Sequence, residues 1–104
     1  MIVEMRTYRT RPGMRARFLD IFREKSIPEH ARLGVPILGP FPSVEDPDTF
    51  VFLRGFADEA SRTATAARFY ESRLWKEELE SVLMPMLATY DVVVVEDPDG
   101  RIAW

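Results

Sequence analysis

The chain has no cysteine, a single histidine, and no asparagine or glutamine among its 104 residues. The absence of cysteine excludes a disulfide framework and a thiolate metal site, and one histidine is too few for an ordinary zinc site. No apolar run exceeds four residues, as at 92–95, whereas a membrane-spanning helix needs about 20. We therefore expect no metal ion and no membrane insertion. Glycine-rich phosphate-binding loops are also absent, and no cofactor is expected.

Lysine is also scarce, because only Lys25 and Lys76 are lysines among the 14 lysine and arginine residues. This skew and the missing amide side chains are typical of a GC-rich bacterial genome. The net charge of −3 and the scattered basic residues argue against nucleic acid as a partner. The N-terminus shows no signal peptide, so a cytoplasmic location is expected, and the length predicts one domain, 1–104.

Alternating apolar and polar residues predict four strands, at 2–10, 35–44, 49–57 and 88–96. The second of these contains three prolines, which favour a strand at the edge of a sheet or one with a bulge. The order of strands and helices is βαβ–βαβ. It predicts a ferredoxin-like α+β fold, in which a four-stranded antiparallel sheet carries helices on one face.

Helical spacing predicts a helix after the first strand, with Pro12 in its first turn. Pro28 is expected to interrupt this helix, because proline lacks the N–H that an interior turn requires. A short second helix is then expected to begin with Ser26 as its N-cap and to end at Gly34.

The second half of the chain predicts two further helices, which begin at the N-cap residues Asp58 and Ser72. The last helix carries an apolar stripe that is expected to pack on the sheet. This stripe consists of Trp75, Leu79, Val82, Leu83 and Met86.

The first strand separates an apolar row from a polar row. We expect Val3 and Met5 to face the helices, so that Glu4, Arg6 and Tyr8 lie on the opposite face of the sheet. Three aromatic side chains are expected to join them there, namely Phe52, Phe56 and Tyr90. A face with so much aromatic area predicts a homodimer that packs sheet against sheet and encloses a barrel-like interior.

Several segments resemble the NIPSNAP family over residues 2–96. The most specific are the opening strand that ends at Tyr8 and continues to Pro12-Gly13, the P-x-H-x-x-L-G turn around His30, and Trp75 in the last helix. The resemblance implies a dimeric α/β barrel related to small cofactor-free monooxygenases, haem-degrading enzymes and EthD-like proteins. It implies no particular reaction, because the activity of the family is not settled. Haem-degrading relatives use an asparagine, which this chain lacks.

His30 is a candidate catalytic base, because its side chain titrates nearest to neutral pH. The alternative is a packed histidine that forms a hydrogen bond near a helix end. Arg6, Tyr8 and Arg54 share one face if both strand registers are right, and such side chains can hold an anionic or carbonyl-bearing ligand. Alternatively, Glu4 pairs with the arginines, and the cluster only stabilises the dimer.

Phe52 and Trp75 are candidate walls of the same ligand site, although aromatic residues at such spacing are more often part of a core. The predicted function is binding of a small organic ligand in the barrel cavity, with cofactor-free monooxygenase- or isomerase-like chemistry left open. The alternative is a binding or scaffold protein without catalytic activity.

Overall fold

The computed structural model describes residues 1–104 and contains one four-stranded antiparallel sheet. Its strands are β1 (Ile2–Thr10), β2 (Ile37–Pro42), β3 (Thr49–Phe56) and β4 (Leu87–Glu96), in the spatial order β2-β3-β1-β4. The first and last strands of the chain therefore pair at the centre and edge of the sheet, as in other ferredoxin-like folds. The predicted fold class is confirmed, and each strand ends within two residues of its predicted bounds.

The chain between β1 and β2 forms one continuous helical segment, not the two helices predicted. It comprises α1 (Arg15–Ile21), a π-helical turn (Phe22–Ser26) and α2 (Ile27–Arg32). Pro28 does not interrupt this segment, because it lies at the start of α2, where the π-helical turn has already changed the hydrogen-bond ladder. The predicted N-cap at Ser26 is also wrong, since its side chain makes no capping hydrogen bond.

Two glycines lie just outside this helical segment. Gly13 precedes it with a φ of 79°, so Pro12 lies in the preceding turn and not in the first helical turn as predicted. Gly34 follows α2 with the same φ of 79° and confirms the predicted end. Both glycines occupy the left-handed region that other residues adopt only with strain.

The helix that follows β3 begins at a side-chain cap. This helix, α3 (Glu59–Tyr70), starts after Asp58, whose carboxylate accepts a hydrogen bond from the backbone N–H of Ser61 at 2.7 Å. After a short break, the Ser72 hydroxyl accepts one from the backbone N–H of Trp75 at 3.2 Å. Both predicted caps are confirmed.

A second π-helical turn (Trp75–Leu79) continues into α4 (Glu80–Leu83) and a 3-10 turn (Met84–Met86). It changes the helical phase, so that Leu83 is buried and Val82 is exposed, although both were predicted on the same stripe. None of the helices is long and apolar enough to cross a membrane.

β2 is an edge strand with an irregular register, as its prolines predict. It pairs with β3 alone, and the pairing shifts between Leu38 and Phe41, where the Gly39–Pro40 peptide bond is cis. An edge strand tolerates proline because part of its backbone N–H groups have no partner strand to bond.

The polar row of β1 faces the helices, contrary to the prediction. In the register of β1 and β3, Glu4 lies opposite Arg54, Arg6 opposite Phe52, and Tyr8 opposite another phenylalanine, so all these side chains share one face. The helices pack on this face through aromatic side chains of their own. Burial of the phenylalanines removes more apolar area from water than burial of the aliphatic row would. Because alternate residues of a strand share a face, the polar residues are buried together with the phenylalanines.

The opposite face of the sheet is therefore mostly aliphatic, with Phe41 of β2 as an exposed aromatic residue at its edge. Met5 and Val93 lie side by side on it and are 42% and 58% exposed. The C-terminal Trp104 covers one end of this face above Gly55, where a Cβ atom would lie 2.6 Å from the indole. The glycine thus leaves room for the tryptophan, and the rest of the face stays uncovered in one chain.

Candidate functional site

A single carboxylate, that of Glu4, binds three arginines beneath the helices. Its Oε1 accepts hydrogen bonds from Arg6 Nε at 2.7 Å and Arg54 Nε at 2.5 Å, and its Oε2 accepts one from Arg62 Nε at 2.7 Å. Burial alone would raise the pKa of Glu4, but Arg54 and Arg6 outweigh it and lower that pKa to about 2. Glu4 is therefore an anion at neutral pH, and it ties β1, β3 and α3 together within one chain.

His30 lies in the buried wall of the site, and its hydrogen bonds define its tautomer. Its Nδ1 is 2.7 Å from the backbone carbonyl of Ser26, which can only accept, so Nδ1 carries the proton. Its Nε2 then accepts from Arg54 Nη1 at 3.0 Å. Burial lowers the pKa of His30 to about 4; the hydrogen bond to the Ser26 carbonyl opposes this in part, and the positive charge of Arg54 adds to the lowering. The ring also packs on Phe69, with the centroids 4.2 Å apart.

Tyr8 continues the polar chain away from Glu4. Its hydroxyl oxygen accepts a hydrogen bond from Arg6 Nη1 at 2.6 Å, and burial raises its pKa above the ordinary value. The phenol is therefore protonated and its own O–H remains able to donate. Phe52 packs edge-on against the Tyr8 ring, with the centroids 5.1 Å apart, and holds it in place.

These groups surround a cavity of about 300 Å³ between the sheet and the helices. All six residues predicted for the site line it, namely Arg6, Tyr8, His30, Phe52, Arg54 and Trp75. Further lining residues are Phe18, Phe22, Ser26, Phe69, Tyr70, Leu83, Met84, Leu87 and Tyr90. The cavity thus lies within one chain, on the helix side of the sheet, and not between two facing sheets as the predicted barrel interior did. The individual roles of the six residues remain predictions.

The π-helical turn explains how His30 reaches this cavity. Phe18, Phe22, Ser26 and His30 are spaced by four residues, and all of them line it. In an ordinary α-helix each such step drifts by about 40°, so three steps would turn His30 away by about 120°. The wider π-helical turn takes up part of this drift and keeps the four side chains on one stripe.

Sequence reasoning missed Arg62 and Ser26. Arg62 lies on α3, whose modest helical pattern carries no mark of a buried partner, and its link to Glu4 is set by tertiary packing alone. Ser26 was read as a helix cap. Its spacing of four residues from both Phe22 and His30 was the available signal, and it is informative only once the helix is known to be continuous.

A family model for NIPSNAP matches residues 3–89. The chain belongs to the NIPSNAP family. The resemblance seen in the opening strand, in the turn around His30 and at Trp75 is thereby confirmed for most of the chain. No curated protein shows detectable similarity to this NIPSNAP chain.

Solved structures of NIPSNAP proteins share this architecture. A NIPSNAP domain protein from Burkholderia xenovorans is 22% identical, with a TM-score of 0.84 and coverage of 99% of this chain and 100% of its own. A NIPSNAP family protein from Agrobacterium tumefaciens is 23% identical, with a TM-score of 0.83 and coverage of 95% and 94%. An antibiotic biosynthesis monooxygenase is 15% identical, with a TM-score of 0.68 and coverage of 93% and 98%. At these identities the likeness shows the shared fold alone.

Proposed function

We propose that this protein binds a small organic anion with an apolar body in the cavity between its sheet and its helices. The proposal rests on the polar end of the cavity, which is formed by Arg6, Tyr8 and Arg54. Charged hydrogen-bond donors are in excess at this end, and the groups that can only accept hydrogen bonds already have partners. A ligand group that only accepts hydrogen bonds and bears negative charge suits such an end.

The donors can be counted from the arginines. Each guanidinium has five N–H groups, and the observed bonds of Arg6 and Arg54 engage one Nε and one Nη1 proton apiece, so each retains donors. Glu4 offsets one of the three positive charges around it and Glu59, which bonds to Arg62, offsets another, so one positive charge is left over. A carboxylate, an enolate or a phenolate would receive these remaining donors and the Tyr8 O–H.

The acceptors at this end are occupied. Both Glu4 oxygens bind arginines, and His30 Nε2 binds Arg54. A cationic ligand such as an amine would find excess positive charge here and no free carboxylate. The aromatic and aliphatic walls, Phe52 and Trp75 among them, suit an apolar body, and about 300 Å³ is within the range of small-molecule sites.

The experiment compares phenylacetate with phenylacetamide, which share a shape and differ in charge. Calorimetric titration is expected to show at least about tenfold tighter binding of the carboxylate, as one charge-assisted hydrogen bond would provide. Arg6→Lys is expected to weaken phenylacetate binding several-fold, because lysine keeps the charge and loses the planar fork. Arg23→Lys, a change at an exposed position of the same type, serves as the control. Equal affinity for the two probes would overturn the proposal.

Chemistry on the bound anion is a second candidate, favoured by the position of Arg54 and Tyr8, whose donors would stabilise an oxyanion. His30 is then the proposed base, and it must exchange Arg54 for the substrate, because its Nε2 lone pair is engaged. Native mass spectrometry of the purified protein would reveal a co-purified ligand. A change in that ligand's mass or chromatographic retention on incubation, lost in His30→Gln, would establish turnover, and a ligand unchanged in both would contradict it.

We also propose that two copies associate through the open aliphatic face of the sheet and form the dimeric barrel that the resemblance implies. Support comes from Met5 and Val93, which are 42% and 58% exposed on this face in one chain, beside the polar pair Thr7 and Asp91. In such a dimer the cavities would lie on the outer, helical sides of the two sheets. The polar cluster would then serve the ligand and not the interface.

A further inference from the structure

We propose that the Ser26 hydroxyl binds a second polar group of the ligand and so selects hydroxy- or oxo-substituted organic anions over plain ones. The inference rests on the proposed function and refines it to a ligand class. It assigns Ser26 as a specificity-determining residue in the helical wall, apart from the arginines and the tyrosine that receive the anion.

The Ser26 hydroxyl is buried and unpartnered within the chain. The residue is 3% exposed, and its side chain makes none of the hydrogen bonds found between residues. Every fully enclosed side-chain nitrogen or oxygen of the chain does have a partner, so the Ser26 hydroxyl must retain some open surface. Since Ser26 lines the cavity, that surface belongs to the cavity. An unpaired hydroxyl there is expected to bond to whatever fills it.

The local backbone explains why this hydroxyl is free. A serine or threonine inside a helix often bonds back to the carbonyl four residues earlier, as Thr65 does to Ser61 at 2.6 Å. Ser26 ends the π-helical turn and makes no such bond. Its own carbonyl accepts from His30 Nδ1, which leaves the hydroxyl as the group available to a ligand.

The position of Ser26 relative to the arginines defines the ligand class. His30 lies between the two residues: its Nδ1 is 2.7 Å from the Ser26 backbone carbonyl and its Nε2 is 3.0 Å from Arg54 Nη1, so an imidazole ring and two hydrogen bonds separate Ser26 from the guanidinium. A matching ligand carries an anionic group and, a few bonds away on the same rigid body, a hydroxyl or carbonyl oxygen. The hydroxyl of serine can donate to either and accept from the first.

The test titrates phenylacetate and its ortho-, meta- and para-hydroxy derivatives into the purified protein. At least one hydroxy isomer is expected to bind about 5- to 10-fold more tightly than phenylacetate, as one neutral hydrogen bond would provide. Ser26→Ala is expected to abolish this preference and to change the phenylacetate affinity less than about twofold. Ser26→Cys nearly keeps the side-chain volume but replaces the hydroxyl with a weak donor, and it is expected to lose most of the preference for the hydroxy isomer. Ser81→Ala, a control at an exposed helical position, is expected to keep this preference.

The outcomes separate the two proposals. If phenylacetate binds no better than phenylacetamide, the proposed function fails and this inference fails with it. If phenylacetate binds well, but no hydroxy isomer is preferred or the preference survives in Ser26→Ala and Ser26→Cys, the inference alone is wrong. Thermal melts of the variants identify any loss of folding, and the cysteine variant decides the question if the alanine variant does not fold.

Discussion

At the residue scale, one buried carboxylate determines most of the electrostatics of the site. Glu4 is 1% exposed and is the shared acceptor for three arginines from two strands and a helix. A buried charge without a partner is strongly unfavourable, so each member of such a cluster depends on the others. The network both holds the fold together and presents arginine donors to the cavity.

Glu4→Gln is expected to destabilise the protein by about 3–5 kcal/mol, because it leaves buried arginines without a compensating charge. The substitution also tests the pKa of Glu4, which is about 2 in the folded chain against an ordinary value of 4.5. A lowered carboxylate pKa contributes stability above pH 4.5, which is lost as the pH falls toward 2. Chemical denaturation at several pH values is expected to show this loss in the wild type and not in the variant.

The exposed Glu24→Gln is the control for this experiment, since it changes the same group on the surface. A Glu4→Gln variant as stable as the wild type at neutral pH would show that the cluster does not stabilise the fold.

His30 predicts a second pH dependence at higher pH. The pKa of His30 is about 4 in the folded chain, against an ordinary value of 6.5. Between pH 4 and 6.5 His30 is therefore protonated in the unfolded chain and neutral in the folded chain. Stability is therefore expected to fall as the pH drops from about 6.5 to 4, by up to about 3 kcal/mol. His30→Gln is expected to flatten this part of the profile. An unchanged slope from pH 7 to 4 would contradict the buried, neutral histidine.

At the element scale, the two π-helical turns matter most for the site. Each lies in a helix that packs on the sheet and places side chains along the cavity. Phe22 and Ser26, four residues apart, do so in the first turn; Trp75 at the start of the second turn and Leu83, eight residues later, do so in the second helix. The wider turn lets these helices present a straight stripe to the cavity without supercoiling. π-helical turns are rare and often occur at functional sites, in keeping with their position here.

The N-terminus of α3 supports a prediction at the same scale. Asp58→Ala is expected to lower the free energy of unfolding by about 1 kcal/mol, because it removes the hydrogen bond to the Ser61 N–H. Amide exchange in the first turn of α3, which also positions Arg62, is expected to accelerate. Asp20→Ala, an exposed aspartate inside α1, is the control and is expected to have little effect. Equal losses in both variants would argue against the cap.

At the scale of the whole molecule, the two faces of the sheet have separate uses. The helix face encloses the core and the cavity, and the open face presents mostly aliphatic side chains to solvent. Phe52 is 2% exposed on the helix face, so an acid there would disrupt the fold of one chain and would not report on association. A substitution on the open face gives a cleaner test of association.

Val93→Asp is expected to convert the proposed dimer into a monomer, because Val93 lies on the open face opposite Met5. Val44→Asp is the control, since Val44 is fully exposed in the loop between β2 and β3. Sedimentation velocity at micromolar concentration would measure both. A monomeric wild type, or an equal effect of the two substitutions, would contradict association through this face.

The sequence by itself determined the strands, the caps at Asp58 and Ser72, the irregular edge strand β2 and the order of elements. These follow from local rules: the period of side chains along a strand, the side-chain hydrogen bond at a helix start, and the missing N–H of proline. It also placed Arg6, Tyr8 and Arg54 on one face. Alternate residues of a strand share a face whichever face is turned toward the core, so this grouping does not depend on the packing.

Only the tertiary structure decided which face that was. The period of two leaves two orientations open, and the packing of Phe18 and Phe22 on Phe50 and Phe52 selected the one that buries the polar row. The same packing keeps Pro28 within a continuous helix and brings Ser26 and His30 to the cavity. The burial of Glu4 then became favourable because arginines from β1, β3 and α3, up to 58 positions away in the chain, converge on its two oxygens.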